Sequence, residues 1–565
     1  MEAHMKKLAF VFALFVAALS ALSAQLPVNL YGRAASGPNG VVAAAKPEAS
    51  QVGIDILKKG GNAVDAAVAT GFALGVLEPN ASGVGGGGFM IIKMKDMTEP
   101  VVIDFREMAP SKSTPTMYLG ADGKVVPNST IEGGLAVGVP GEVKGLLYAL
   151  EHYGSGKLSR ADIIQPAIQW ALTGVPVTVN LASIIKDNYG KLVKYENGAQ
   201  IYLKDGLPYE VGDVIYNPDL AKTLAKIVKE GTDAVYKGEI AEAIVKEVQK
   251  RGGILTLEDL ANYEVKIRKP VEGSYRGYKV YSVPPASSGG THLIEILNIL
   301  ENFDVKKLGF QTAQSAHLWS EILKLTFADR SKYMADTEFV KVPLAGLTSK
   351  EYAKEQAARI DLNKPLAPVT AGDPWKYESG STTHFSVMDK EGNMVAVTKT
   401  INYFFGSGVT IPGWGFIMND EMDDFVATPG SVNSVEPGKR PLSSMSPTLV
   451  LDPQGRSFMT IGSPGATRIF PTVAQVISNV IDFGFPIQEA ILAPRVWQGA
   501  SGALNIEGRY PASALDGIKK LGHDVTIRGD WDAYFGGVHA VVYDYDKGVL
   551  YGGADPRRDG QAAAF

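Results

Sequence analysis

Apolar positions recur at helical spacing over residues 48–77 and break at Gly60-Gly61-Asn62. That pattern predicts two helices meeting at a glycine turn, with Asn62 and Asp65 in the first turn of the second. A glycine-dense stretch from Pro79 to Gly88 follows, then a mainly apolar run at 89–94 that reads as a strand. A second strand, 101–105, ends in Arg106-Glu107-Met108. Residues 139–251 are mostly helical in pattern, with a helix start at Pro140-Gly141-Glu142. A strand at 278–283 precedes helices at 291–300 and 311–333. Residues 363–381, with Pro365, Pro368, Pro374 and two glycines, read as a loop. Strands at 383–388 and 394–400 flank the turn Lys390-Glu391-Gly392-Asn393. Strand 457–461, a glycine turn and a helix from Ile469 come later. Strands, helices and strands again predict layered sheets sandwiched between helices.

Composition narrows the function classes. The 565 residues are 45% hydrophobic and 20% charged, a globular balance with length for several layers. A net charge of −5 argues against nucleic acid or an anionic membrane as the main partner. There is no cysteine, which excludes disulfides, thiolate catalysis and Cys-ligated zinc. The histidines (4, 152, 292, 317, 384, 523, 539) show no pair at helical metal-ligand spacing, and no metal or cofactor is expected. Lys6 and Lys7, the apolar run 8–22 and Ser23-Ala24-Gln25 read as a secretory signal occupying 1–24; the run is shorter than the roughly 20 residues a spanning helix needs. The mature protein is therefore expected to be periplasmic or secreted.

The candidate chemistry sits where the 363–381 loop meets the strand after it. A cut before Thr382 would give that residue a hydroxyl nucleophile and a free α-amine to act as its base. The competing reading of Thr382-Thr383 is plain β-propensity. Gly83, Gly85 and Gly88 formally spell G-x-G-x-x-G, but the order is helix, loop, strand, so a dinucleotide site is rejected in favour of close backbone approach. Three polar segments follow: Asn419-Asp420-Glu421-Met422-Asp423-Asp424-Phe425, Arg440-Pro441-Leu442-Ser443-Ser444-Met445-Ser446-Pro447 and Gly462-Ser463-Pro464-Gly465-Ala466-Thr467-Arg468. Singly, the first reads as a solvated acidic turn and the second as a hydroxyl-capped turn. The third, between strand and helix, turns backbone N–H groups toward one spot, as an oxyanion hole requires. No G-x-S-x-G and no P-loop occurs.

Together, 382–387, 423–425, 440–447, 462–465 and Ala554-Asp555-Pro556-Arg557-Arg558-Asp559-Gly560 resemble the γ-glutamyltransferase (γ-glutamyl transpeptidase) family of N-terminal nucleophile hydrolases. The resemblance runs from about Gly37 to the C-terminus and includes 61–67 and 104–107. It implies a mixed α/β fold, a four-layer αββα sandwich self-cleaved between Ser381 and Thr382 into a large subunit (25–381) and a small catalytic subunit (382–565). It makes Thr382 the nucleophile, with Thr400 hydrogen-bonded to it. Arg106, Ser443 and Ser444 would take the α-carboxylate of a γ-glutamyl donor, and Asp424, Glu421 and Asn402 its ammonium; Gly465 and Ala466 would face the oxyanion. Donors would be glutathione and related γ-glutamyl compounds, and acceptors water, amino acids or dipeptides.

Three features depart from the family pattern. Gly465-Ala466 stands where the family has Gly-Gly. Residues 494–498 lack its usual His-rich sequence. The connection 425–439 is short, with Phe425 its only aromatic, so it has no side chain to lie over a bound glutamyl group. Two rivals follow: a cephalosporin-type glutaryl acylase, whose substrate lacks the ammonium that Glu421 and Asp424 would meet, and a secreted binding protein of this fold that never matures.

Overall fold

The computed structural model describes Leu30, Gly32–Ala367, Val369 and residues 382–565. The expected signal segment 1–24, most of the expected loop before Thr382, and Ser381 itself lie outside the described residues.

The helix Ala63–Leu77 starts where the sequence says it should. Asn62 caps it, its side chain accepting from the N–H groups of Val64 and Asp65 while Asp65 accepts from the Asn62 N–H at 2.8 Å. Every residue of that helix except Gly75 is buried, because neighbouring helices Pro47–Lys58 and Arg160–Thr173 pack around it and a sheet lies beneath it. Two seven-stranded sheets form the middle of the molecule. In the first, Gly40–Ala44, Thr383–Asp389, Met394–Thr400, Gly87–Lys93 and Val101–Phe105 run antiparallel side by side. The second holds Tyr278–Ser282, Thr448–Leu451, Ser457–Gly462, His539–Asp544 and Val549–Ala554.

Val41, Phe89, Met388 and Ala396 from one sheet pack against Leu449 and Val541 from the other. Helices Pro47–Lys58, Ala63–Leu77 and Glu142–Tyr153 cover the outer face of the first sheet. Gly289–Leu300, Ala313–Tyr333 and Ile469–Ile481 cover the second. The result is the four-layer αββα sandwich that the resemblance implies.

Position 382 does not separate two domains. Thr383–Asp389 is paired on one side with Gly40–Ala44, so each sheet mixes strands from before and after that point. Cleavage there would leave two pieces sharing one core. No helix among the described residues is long and apolar enough to cross a membrane.

Residues 494–498 and 554–560 build a buried ion network. Arg495 reaches Asp555 at 2.6 Å, and Arg557 bridges Asp555 at 3.0 Å and Glu507 at 2.6 Å. The guanidinium charges hold the Asp555 carboxyl below its ordinary range despite its burial. Removing one member would strand a buried charge. These motifs hold the fold, and none of them lines the cavity described next.

Candidate active site

The pleat decides between the two adjacent threonines. In Thr383–Asp389, Phe385 and Val387 pack toward the helices, while Met388 faces the other sheet. Ser386, on that same inner face, donates to the His539 carbonyl of the opposite sheet at 3.1 Å. Two-residue alternation therefore places Thr382 with His384 and Ser386, at the mouth of the space between the sheets. Thr383 pairs with Lys399, and one step further sets Thr382 beside Thr400. Both line a small cavity with Arg106, Arg330, Asn402, Glu421, Asp424, Ser443, Ser444 and Ala466. Nine of the ten catalytic and binding residues expected from sequence thus line one cavity. Gly465 lies one residue behind it.

The glycine loop at 83–88 makes this approach possible. A β-carbon on Gly85 or Gly86 would overlap the carbonyl oxygens of Ile417 and Thr400. This is the close backbone passage expected in place of a nucleotide site. Thr400 Oγ1 accepts from the Asn402 N–H at 2.8 Å, and Asn402, held at φ 71°, donates through Nδ2 to the Asp420 carbonyl at 3.1 Å. Asn tolerates that left-handed backbone better than most residues.

Arg106 ends the strand Val101–Phe105 and is fully buried. Its Nε donates to the Pro441 carbonyl at 3.2 Å; Nη1 pairs with Glu421 and Nη2 with Asp424, and Glu107 lies 3.6 Å away. The guanidinium fork therefore grips the two acids expected to meet a substrate ammonium. Burial opposes the Arg106 charge, but Glu421, Asp424 and Glu107 outweigh it and raise its pKa. Burial pushes the Glu421 carboxyl up to about 7, against the pull of Arg106. Glu107, buried beside Glu421, is pushed well above the carboxylate range. Asp423, next to Asp424, turns the other way and accepts from the Thr130 hydroxyl.

Ala466 opens the turn that leads into helix Ile469–Ile481, at φ 50°. A β-carbon costs roughly 1–2 kcal/mol in that left-handed region, strain of a kind that collects at functional sites. Gly465 before it is at φ 127°, where glycine is needed. Ala466→Gly should therefore stabilise the fold by about 0.5–1 kcal/mol after the added freedom of the unfolded chain is subtracted, and leave turnover in place. A lower thermal midpoint for Ala466→Gly would contradict this account of the turn.

The sequence reading missed Arg330. It lies near the end of helix Ala313–Tyr333 and is 1% exposed. The available signal was an arginine at helical spacing from the buried Leu323 and Phe327, a face where an unpaired charge is rarely tolerated. Likewise, no histidine pair looked like a ligand set, yet the fold brings His317, Glu321 and His523 together. Their polar atoms already serve one another. His317 Nδ1 lies 2.6 Å from His523 Nε2, and Glu321 takes Lys324 at 2.8 Å and the Leu366 N–H at 2.6 Å. With an ammonium against the carboxylate, this cluster pins residues 361–366 to the chain after 382.

Against known proteins, the family described as Gamma-glutamyltranspeptidase matches residues 49–565. A glutathione hydrolase proenzyme of Escherichia coli (strain K12) is 45% identical over 533 residues, 92% of this chain and 90% of its own. An acylase ACY 1 proenzyme of Pseudomonas sp. (strain SE83) is 41% identical over 540 residues, 94% of each chain. The crystal structure of cephalosporin acylase from Bacillus halodurans superimposes with a TM-score of 0.87 at 32% identity, covering 96% of this chain and 98% of that one.

Proposed function

Because this chain belongs to the gamma-glutamyltranspeptidase family, we propose that it is a γ-glutamyl hydrolase and transferase acting through Thr382, freed as an N-terminus by cleavage after Ser381. One observation carries the reading: a threonine pair shares a cavity with two acids, two arginines and two serines. That is the charge pattern of an α-amino acid head group. A glutaryl substrate would bring no ammonium to Glu421 and Asp424, so the γ-glutamyl donor is preferred to the glutaryl amide.

In the proposed reaction the Thr382 hydroxyl attacks the γ-carbonyl of the donor and passes its proton to its own α-amine. The oxyanion faces N–H groups at the Gly465-Ala466 turn, each worth roughly 3–4 kcal/mol in comparable acyl-transfer sites. The leaving amine takes the proton, and water or an amine acceptor then resolves the γ-glutamyl ester. Glutathione supplied with and without a dipeptide tests this. Glutamate release alone, and a γ-glutamyl dipeptide when acceptor is present, are expected. Cleavage of a glutaryl amide with glutathione untouched would reject the reading.

The Glu421 pKa gives a pH dependence. The carboxyl is neutral below about 7 and anionic above it, and an ammonium favours the anion. Donor capture should therefore rise as pH increases through about 7 and fall as pH drops below it. The affinity for L-glutamate as a competitive inhibitor, which does not depend on the Thr382 amine acting as a base, should show this step in the native enzyme and lose it in Glu421→Gln. The same step in the Gln variant would assign it elsewhere.

Phe425 is core and does not cover the site. It is 4% exposed and packs with Ala109, Tyr118, Met422 and Val435. The connection after it folds on itself: Val426 bridges Ser434, Asn433 donates to the Asp424 carbonyl at 2.7 Å, and Lys439 reaches the Val432 carbonyl at 2.9 Å. Without an aromatic lid the cleft should admit water and bulky donors, since lids exclude solvent. We therefore expect hydrolysis to compete strongly with transfer, and long γ-linked glutamyl oligomers to be cleaved from their ends. Refusal of such an oligomer, with transfer dominant at low acceptor, would show that another element covers the site.

A further inference from the structure

Two hydroxyls at the Ser443-Ser444 end of the cavity each accept a hydrogen bond from a neighbouring donor. Ser443 Oγ accepts from the Met445 N–H at 3.0 Å, and Ser444 Oγ accepts from Arg330 Nη2 at 2.9 Å. A hydroxyl carries a single proton, and a guanidinium has no acceptor. Arg330 therefore cannot take the Ser444 proton, which stays available to an anion in the cavity.

The same guanidinium fixes the frame. Its Nε donates to Ser288 Oγ at 2.8 Å, and Ser288 in turn donates to the Ser443 carbonyl at 2.7 Å. Ser288 N–H reaches that carbonyl too, at 2.9 Å, and Ser287 donates to the Met445 carbonyl at 2.6 Å. Gly289 has no room for a β-carbon, which would overlap the carbonyl oxygens of Ser444 and Met445. The Ser287-Ser288-Gly289 segment and the serine pair are thus clamped backbone to backbone, with Arg330 spanning both.

Arg330 itself lines the cavity beside the serine pair.

We propose that Arg330 is a specificity-determining positioning residue: it orients Ser444 as a donor to the α-carboxylate. This rests on the γ-glutamyl reading of the site.

The test uses the matured enzyme, a γ-glutamyl anilide, and two competitive inhibitors. L-glutamate carries the α-carboxylate and 4-aminobutanoate lacks it. Arg330→Met should raise KM and the glutamate inhibition constant by about 10- to 100-fold, the range for a hydrogen bond to a charged group, with kcat changed far less. Inhibition by 4-aminobutanoate should hardly move. Ser444→Ala should then add little in the Arg330→Met background, because the first change already disorients that hydroxyl. Arg330→Lys keeps the charge and loses the two-pronged grip, so its KM should fall between the native and Met values; it and Ser444→Ala carry the test if Arg330→Met fails to fold. Equal weakening of both inhibitors, or additive effects of the two substitutions, would overturn the assignment and leave the functional reading intact. An inert native enzyme would overturn both.

Discussion

Replacing Thr382 by Ala is expected to leave one uncut chain with turnover lowered by at least roughly 10⁴-fold, the scale seen when an acyl-transfer nucleophile is removed. The pleat gives the reason. Thr382 is the hydroxyl that faces the cavity between the sheets, whereas its neighbour Thr383 faces the helix layer. Thr383→Ala should accordingly mature and turn over. Thr382→Ser keeps the hydroxyl and the amine and should still cleave itself. In each case a denaturing gel reports one band or two, and anilide release reports turnover. A Thr382→Ala protein that still divides in two would move the nucleophile elsewhere. Division would not disperse the molecule, since Thr383–Asp389 remains paired with Gly40–Ala44 and Met394–Thr400 with Gly87–Lys93.

Asp424→Asn is expected to lower kcat/KM for a γ-glutamyl donor by about 10²-fold or more, with maturation intact. Removing one partner of a buried charge pair costs about 2–5 kcal/mol, at roughly 1.4 kcal/mol per decade of rate. The structure sharpens the reason. Asp424 pairs with Arg106 Nη2 and keeps part of its side chain exposed to the cavity, so the substitution weakens ammonium capture and loosens the guanidinium as well. Arg106→Lys should also be impaired, because an ammonium cannot pair with Glu421, Asp424 and the Pro441 carbonyl at once. Near-normal kinetics from Asp424→Asn on a γ-glutamyl donor, or a preference for a glutaryl amide in the native enzyme, would favour the acylase reading.

Much of the fold was legible because it rests on local chemistry. The Asn62–Asp65 cap, the helix pair around the glycine turn and the strands on either side of Lys390-Glu391-Gly392-Asn393 follow from spacing and turn residues. The crowding at Gly85 and Gly86 was legible as a need for small residues, though not which backbone approaches them. What stayed hidden depends on distant partners. Arg330 meets Ser444, 114 residues on, and His317 meets His523, 206 residues on. Nothing local announces either meeting. The left-handed backbone of Ala466 was equally unreadable, since alanine carries no signal for a positive φ. The pairing of Arg106 with Glu421 and Asp424 was hidden for another reason. Sequence assigned opposite charges to opposite ends of a ligand, whereas in the structure those charges pair with each other.

The most direct test of the central claim is the mass of the fragment 382–565 after brief reaction with a γ-glutamyl donor and acid quench. The account predicts a fragment whose first residue is Thr382 and which gains the mass of one glutamyl residue, localised to that threonine. A fragment starting elsewhere, or one that stays unmodified or is modified at another residue while the donor is consumed, would contradict it.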